Sequence, residues 1–172
     1  MNKKVLFHVI LFILIFSCDN IKDEKQVPFE KLSSEITGIN FSNIITPDIE
    51  TSENLFDYDY FYNGSGVGIA DINNDGLKDV LFTANQENNR LFINKGNLKF
   101  EDITELSNIN TKTKKWSSGV TFADVNNDGW LDIYISQGGP FESNSRKNLL
   151  LINNQDLTFT EKAGEYGLDD TG

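Results

Sequence analysis

One motif occurs twice in this chain, and it constrains the fold more than any other feature. Gly68-Ile69-Ala70-Asp71-Ile72-Asn73-Asn74-Asp75-Gly76-Leu77-Lys78-Asp79-Val80 returns 53 residues later as Thr121-Phe122-Ala123-Asp124-Val125-Asn126-Asn127-Asp128-Gly129-Trp130-Leu131-Asp132-Ile133. A second pair follows, Leu91-Phe92-Ile93-Asn94 through Phe100 matching Leu150-Leu151-Ile152-Asn153 through Phe159, at an offset of 59. The six extra residues fall around Gly138-Gly139-Pro140, where a loop absorbs them at small entropic cost. Repetition at this period decides the architecture before any single residue does.

Each copy reads as four short strands: an apolar run into the aspartate motif, one out of it, a third before Asn94 or Asn153, and a fourth after a tight turn. No segment has a sustained helical period. A single four-stranded unit cannot bury both faces, so such units stack as the blades of a β-propeller. The expected fold is therefore all-β, a propeller of four-stranded blades. A partial third copy lies upstream, because Phe29-Glu30-Lys31-Leu32 resembles Phe100-Glu101-Asp102-Ile103 and 35–40 resembles 105–110. The expected layout is a leader over 1–17, a tether over 18–28, a strand region over 29–62, one blade over 63–110, and a second blade with the start of another over 111–172. Two blades fall short of the four to eight that close a ring, so the chain is expected to be part of a longer propeller.

The motif itself is Asp-x-Asn-x-Asp-Gly-x-x-Asp. Oxygen donors at positions 1, 3, 5 and 9, with a carbonyl at 7, curl around one point, and Gly at 6 permits the sharp turn; this suits a hard cation such as calcium. The candidate ligands are Asp71, Asn73, Asp75, the Leu77 carbonyl and Asp79 in the first loop. In the second they are Asp124, Asn126, Asp128, the Trp130 carbonyl and Asp132. Three carboxylates so close repel one another unless a cation sits between them. An EF-hand starts the same way but needs Glu at position 12, which here falls on Phe82 and Ile135, and it needs flanking helices rather than strand-like runs. The competing reading is a metal-free Asn/Asp hairpin turn.

The chain begins with Lys3 and Lys4, then an apolar run over 5–16, then Ser17 and Cys18, the one cysteine. A helical run of that length rises about 18 Å, too short to cross a bilayer, so a signal peptide is expected. Leu14-Ile15-Phe16-Ser17-Cys18 resembles a bacterial lipobox, which implies lipidation of Cys18, a lipid anchor in the membrane and a place in the cell envelope, exposed at the surface; ordinary secretion is the alternative. Loss of Lys3 and Lys4 would take the formal charge from −11 to about −13, so nucleic acid is not an expected partner. A single cysteine leaves no disulfide within the chain, which makes bound cations the natural stabiliser.

On the residues quoted above, the sequence resembles the FG-GAP or VCBS repeat, the calcium-loop blade of the integrin α propeller and of many bacterial surface proteins. Tyr60-Phe61-Tyr62-Asn63-Gly64 and 159–168 resemble VCBS-repeat lipoproteins of the Bacteroidota, which often end in an ASPIC/UnbV domain. The resemblance implies a calcium-stabilised propeller and leaves its protein or glycan ligand unnamed.

Catalysis is not expected. The one histidine, His8, lies in the leader, which removes His-dependent triads and His-ligated metals from the mature chain. Carboxylate chemistry of the glycosidase type is the alternative, as the front end of a polysaccharide-active enzyme or its accessory subunit. A binding or adhesion module is the main expectation. Its candidate surfaces are the polar loops 83–90 and 136–147 and the aromatics Phe56, Tyr58, Tyr60, Phe61, Tyr62, Trp116 and Trp130, the aromatics more simply filling space between blades.

Overall fold

The structure, a computed structural model, describes residues 29–110 and 116–171. The leader, Cys18 and the tether lie outside these residues. Leu32–Gly172 forms one compact unit; of the unit Met1–Lys31, only Phe29, Glu30 and Lys31 are described, and they have no regular structure.

Among the described residues eight strands form two four-stranded antiparallel sheets, each a meander of consecutive strands. The first holds β1 (Val67–Ala70), β2 (Asp79–Phe82), β3 (Arg90–Asn94) and β4 (Phe100–Asp102). The second holds β5 (Ser117–Ala123), β6 (Asp132–Gln137), β7 (Leu149–Asn153) and β8 (Phe159–Glu161). The registers correspond: Ile69 faces Val80 and Val80 faces Phe92, as Phe122 faces Ile133 and Ile133 faces Leu151. The expected all-β class is what the described residues show. Alternation within each strand, such as Leu81 buried between half-buried Val80 and Phe82, follows from side chains pointing to opposite faces of the pleat.

Among the described residues, three single-turn α-helices, α1 (Ser34–Thr37), α2 (Thr104–Ser107) and α3 (Ala163–Tyr166), and a 3-10 turn at Ser143–Ser145 interrupt the all-strand reading. Each α-helix ends in a left-handed residue, Gly38, Asn108 or Gly167. Four residues are too few to leave a 3.6-residue period in the sequence, so they are legible only as repeats. α1 stands where α2 and α3 stand in their copies, but residues 29–31, matched in sequence to β4, form no strand, and the expected strand region over 29–62 holds this short helix and no strand.

One apolar cluster joins the sheets. Ala70, Leu81, Leu91, Ile93, Ile103 and Ile109 from the first side pack with Ile133, Ile135, Leu149, Leu151 and Phe159 from the second. Where β1 meets β5 the approach is close. A Cβ on Gly68 would stand 2.5 Å from Phe122 and 2.9 Å from Val120, so the second sheet's bulk fits only because the first has no side chain there.

Candidate functional site: the paired aspartate loops

The loops 71–79 and 124–132 join β1 to β2 and β5 to β6, and their hydrogen bonds are nearly superimposable. Asp71 accepts from the backbone N–H of Asp75 (3.1 Å) and of Gly76 (2.8 Å); Asp124 accepts from Asp128 (3.0 Å) and Gly129 (2.9 Å). The side-chain oxygens of Asn73 and Asn126 accept from the same position-five N–H groups. Asp75 then accepts from Leu77 N–H and Asp128 from Trp130 N–H. The turn needs left-handed backbone at positions four and six: Asn74 and Gly76 have φ of 57° and 85°, Asn127 and Gly129 of 59° and 87°. Asn and Gly tolerate that region best, which explains both choices.

The last aspartate of each loop is the buried one. Asp79 and Asp132 are each 1% exposed. Asp79 accepts from Ile72 N–H (3.0 Å) and Asn94 N–H (2.8 Å); Asp132 accepts from Val125 N–H (3.0 Å) and Asn153 N–H (2.8 Å). Each carboxylate thereby ties the loop's entry to the far end of the third strand. Asn94 and Asn153, matched in the repeat but given no role from sequence, are the other half of this clamp. Their recurrence at the end of an apolar run, Leu91-Phe92-Ile93 and Leu150-Leu151-Ile152, was the available signal.

Electrostatics separates the positions. Burial pushes the Asp79 carboxyl above the usual range, Asp75 and Asp71 add like-charge repulsion, and the two backbone donors only partly offset this. Asp128 is held below the usual range, first by Trp130 N–H and then by the Asn126 and Gln155 amides.

The oxygens of positions one and three face a single backbone N–H, and the charges of Asp71 and Asp75 are felt at Asp79. That is a hard, anionic, all-oxygen donor set, and it fits a calcium-like cation in kind. The carboxylates are not gathered into a closed cage: among the described residues no three acidic, His or Cys side chains converge as a metal cluster. The loops hold their shape through hydrogen bonds of their own.

The other candidate surfaces divide. Thr83, Asn85 and Asn89 of loop 83–90 are buried. Asn85 exchanges two bonds with Asn43 and donates to the Gly64 and Ser117 carbonyls, while Asn89 accepts from Ala84 N–H. Much of that loop's polarity is spent inside the molecule, against the expectation of a free recognition surface. Loop 136–147 keeps Glu142, Ser143 and Asn144 exposed. Among the aromatics, Phe61 and Trp116 are buried, 5.5 Å apart, with Tyr58 edge-on to Trp116, whereas Phe56, Tyr60 and Tyr62 stand exposed. No helix among the described residues is long and apolar enough to cross a membrane.

Residues 71–135 match the family model described as an FG-GAP-like repeat, a span running from the first aspartate of loop one into β6. Integrin alpha-8 of Mus musculus is 32% identical over 106 residues, which covers 54% of this chain and 10% of that protein. The chain thus spans about a tenth of the length of that curated relative. These likenesses support the FG-GAP family, on the same residues that build the paired loops.

Proposed function

We propose that the chain is a calcium-stabilised portion of a β-propeller, exported and lipid-anchored through Cys18, that serves as a binding or adhesion module for a protein or glycan. The paired loops carry this reading: two all-oxygen loops with the same hydrogen-bond pattern both lie within the FG-GAP-like match, in a chain similar to an integrin alpha subunit. Adhesion by such a module is non-catalytic, in line with a mature chain lacking histidine.

Propeller packing is supported by what the two sheets leave bare. Ile133, Ile135 and Leu151 are fully buried against the first sheet. By register their counterparts are Val80, Phe82 and Phe92; Phe92 is buried and Val80 and Phe82 are half-buried, and the bare part of this face is Val67 and Ile69, 57% and 65% exposed. On the opposite side, Leu168 follows α3 as Ile109 follows α2, and it is 39% exposed where Ile109 is buried. Each sheet has a front and a back built to the same plan, so a further sheet of this repeat would cover Val67 and Ile69 on one side and Leu168 on the other.

A thermal melt tests the cation reading. With calcium at a few millimolar, two sites of extracellular type (Kd about 10⁻⁴ to 10⁻³ M) add on the order of 1 to 5 kcal/mol. A rise in Tm, lost on chelation and absent in Asp75→Ala plus Asp128→Ala, supports structural calcium; an unchanged Tm in a folded sample reduces the loops to turns. Calcium-dependent capture on protein and glycan arrays then tests the module.

A further inference from the structure

We infer that Asn153 is a positioning residue that couples the two aspartate loops, so that a cation at one changes the affinity of the other; this rests on the cation reading above. The Asn153 side chain, 4% exposed, crosses from the second sheet to the first loop and donates to the Ile72 carbonyl at 2.8 Å. It also donates to the Leu131 carbonyl of its own loop at 3.1 Å. Its backbone N–H is held by Asp132, and Ile72 N–H is held by Asp79. A continuous hydrogen-bonded path therefore runs from Asp79 through Ile72 and Asn153 to Asp132, joining the buried ninth positions of both loops. Asn74 adds a second, exposed link by donating to the Gly129 carbonyl at 3.0 Å.

The equivalent residue in the first sheet has no such reach. Asn94 donates its amide to Lys78, the counterpart of Leu131, and its side-chain oxygen accepts from Gly96 N–H, as that of Asn153 accepts from Gln155 N–H. Turn-building is common to both asparagines, whereas the bond between sheets belongs to Asn153. Because Asn153 is buried, water cannot replace a bond that shifts, and a change in either aspartate's geometry passes along the path. Linkage makes the effect reciprocal between the loops.

Terbium(III), a calcium stand-in, reads loop two through Trp130, which lies within that loop while Leu77 holds the position in loop one; because Asn74 brings loop one against Gly129, emission from loop one is measured in Asp128→Ala, which disables loop two, and subtracted. The full chain is titrated with and without Asp75→Ala, which disables loop one. In the parent chain the midpoint of Trp130-sensitised emission is expected to weaken about five-fold or more with Asp75→Ala. In Asn153→Ala, and in the volume-keeping Asn153→Leu, Asp75→Ala should no longer move it; in Asn94→Ala the shift should persist. Asn74→Gly, at an exposed position whose φ glycine accepts, should reduce the shift and keeps the test alive if the buried variants fail to fold. An unmoved midpoint in the parent chain, or a shift that survives in both Asn153 variants, overturns the coupling. Absence of emission from a folded chain overturns the cation reading itself, and the coupling with it.

Discussion

Corresponding faces of the two sheets carry corresponding residues and meet different surroundings. On the second sheet, Ile133 and Ile135 are sealed by Leu81, Leu91 and Ile93 of the first; on the first sheet, Phe82 meets Phe41 and Phe92, Val80 is half-buried, and Val67 and Ile69 meet solvent. The local sequence cannot tell these cases apart, since both faces alternate apolar residues with the same period. What differs is the presence of a neighbour. Burial here is a property of the stack, and the energetic weight of a residue follows its place in it.

Truncation at matched positions tests that contrast most directly. Ile133→Ala should cost about 3 kcal/mol, because a fully enclosed site cannot collapse around the void, while Val80→Ala should cost less than about 1 kcal/mol; urea denaturation of the two variants reads the difference. Equal costs would mean the first sheet's outer face is covered in solution. A smaller effect is expected at the junction between the sheets. Gly68→Ala should lose about 1 to 3 kcal/mol by forcing Phe122 and Val120 aside, whereas Thr121→Ala, the exposed counterpart, should stay within about 0.5 kcal/mol.

The smallest effect concerns pH. The raised Asp79 carboxyl holds its proton more tightly folded than unfolded, so its contribution to stability is greatest below the unfolded value near 3.8 and is lost as pH rises through the higher folded value. Metal-free melts across that window should show the decline in the parent chain and a weaker one in Asp79→Asn. A steeper decline in the variant would contradict the burial argument.

The repeat, the strands and both loops were legible because each depends on residues near one another in sequence: alternation for the strands, and Asn or Gly at positive φ for the turns. What escaped depended on return of the chain. Asp79 and Asp132 read as loop donors, yet their oxygens also receive N–H groups from the ends of β3 and β7, which no spacing announces. Asn85 read as part of a free polar loop, but its partners are Asn43, Gly64 and Ser117, brought together only by the fold. The aromatics between 56 and 62 look alike in sequence and divide in space, Phe61 entering the core because Trp116 is there to receive it.

The meander order of both sheets also sets a timetable. Every strand pairs only with the strand before or after it, so each hairpin can close as soon as its second arm exists, and little loop entropy must be spent before contacts repay it. The first sheet is complete in its pairing by Asp102, before any of the second has been synthesised. The Asn153 to Ile72 bond spans 81 residues and closes only when both sheets stand side by side. A chain assembled in this way grows from one end like a stack, each finished sheet serving as the template on which the next one sets.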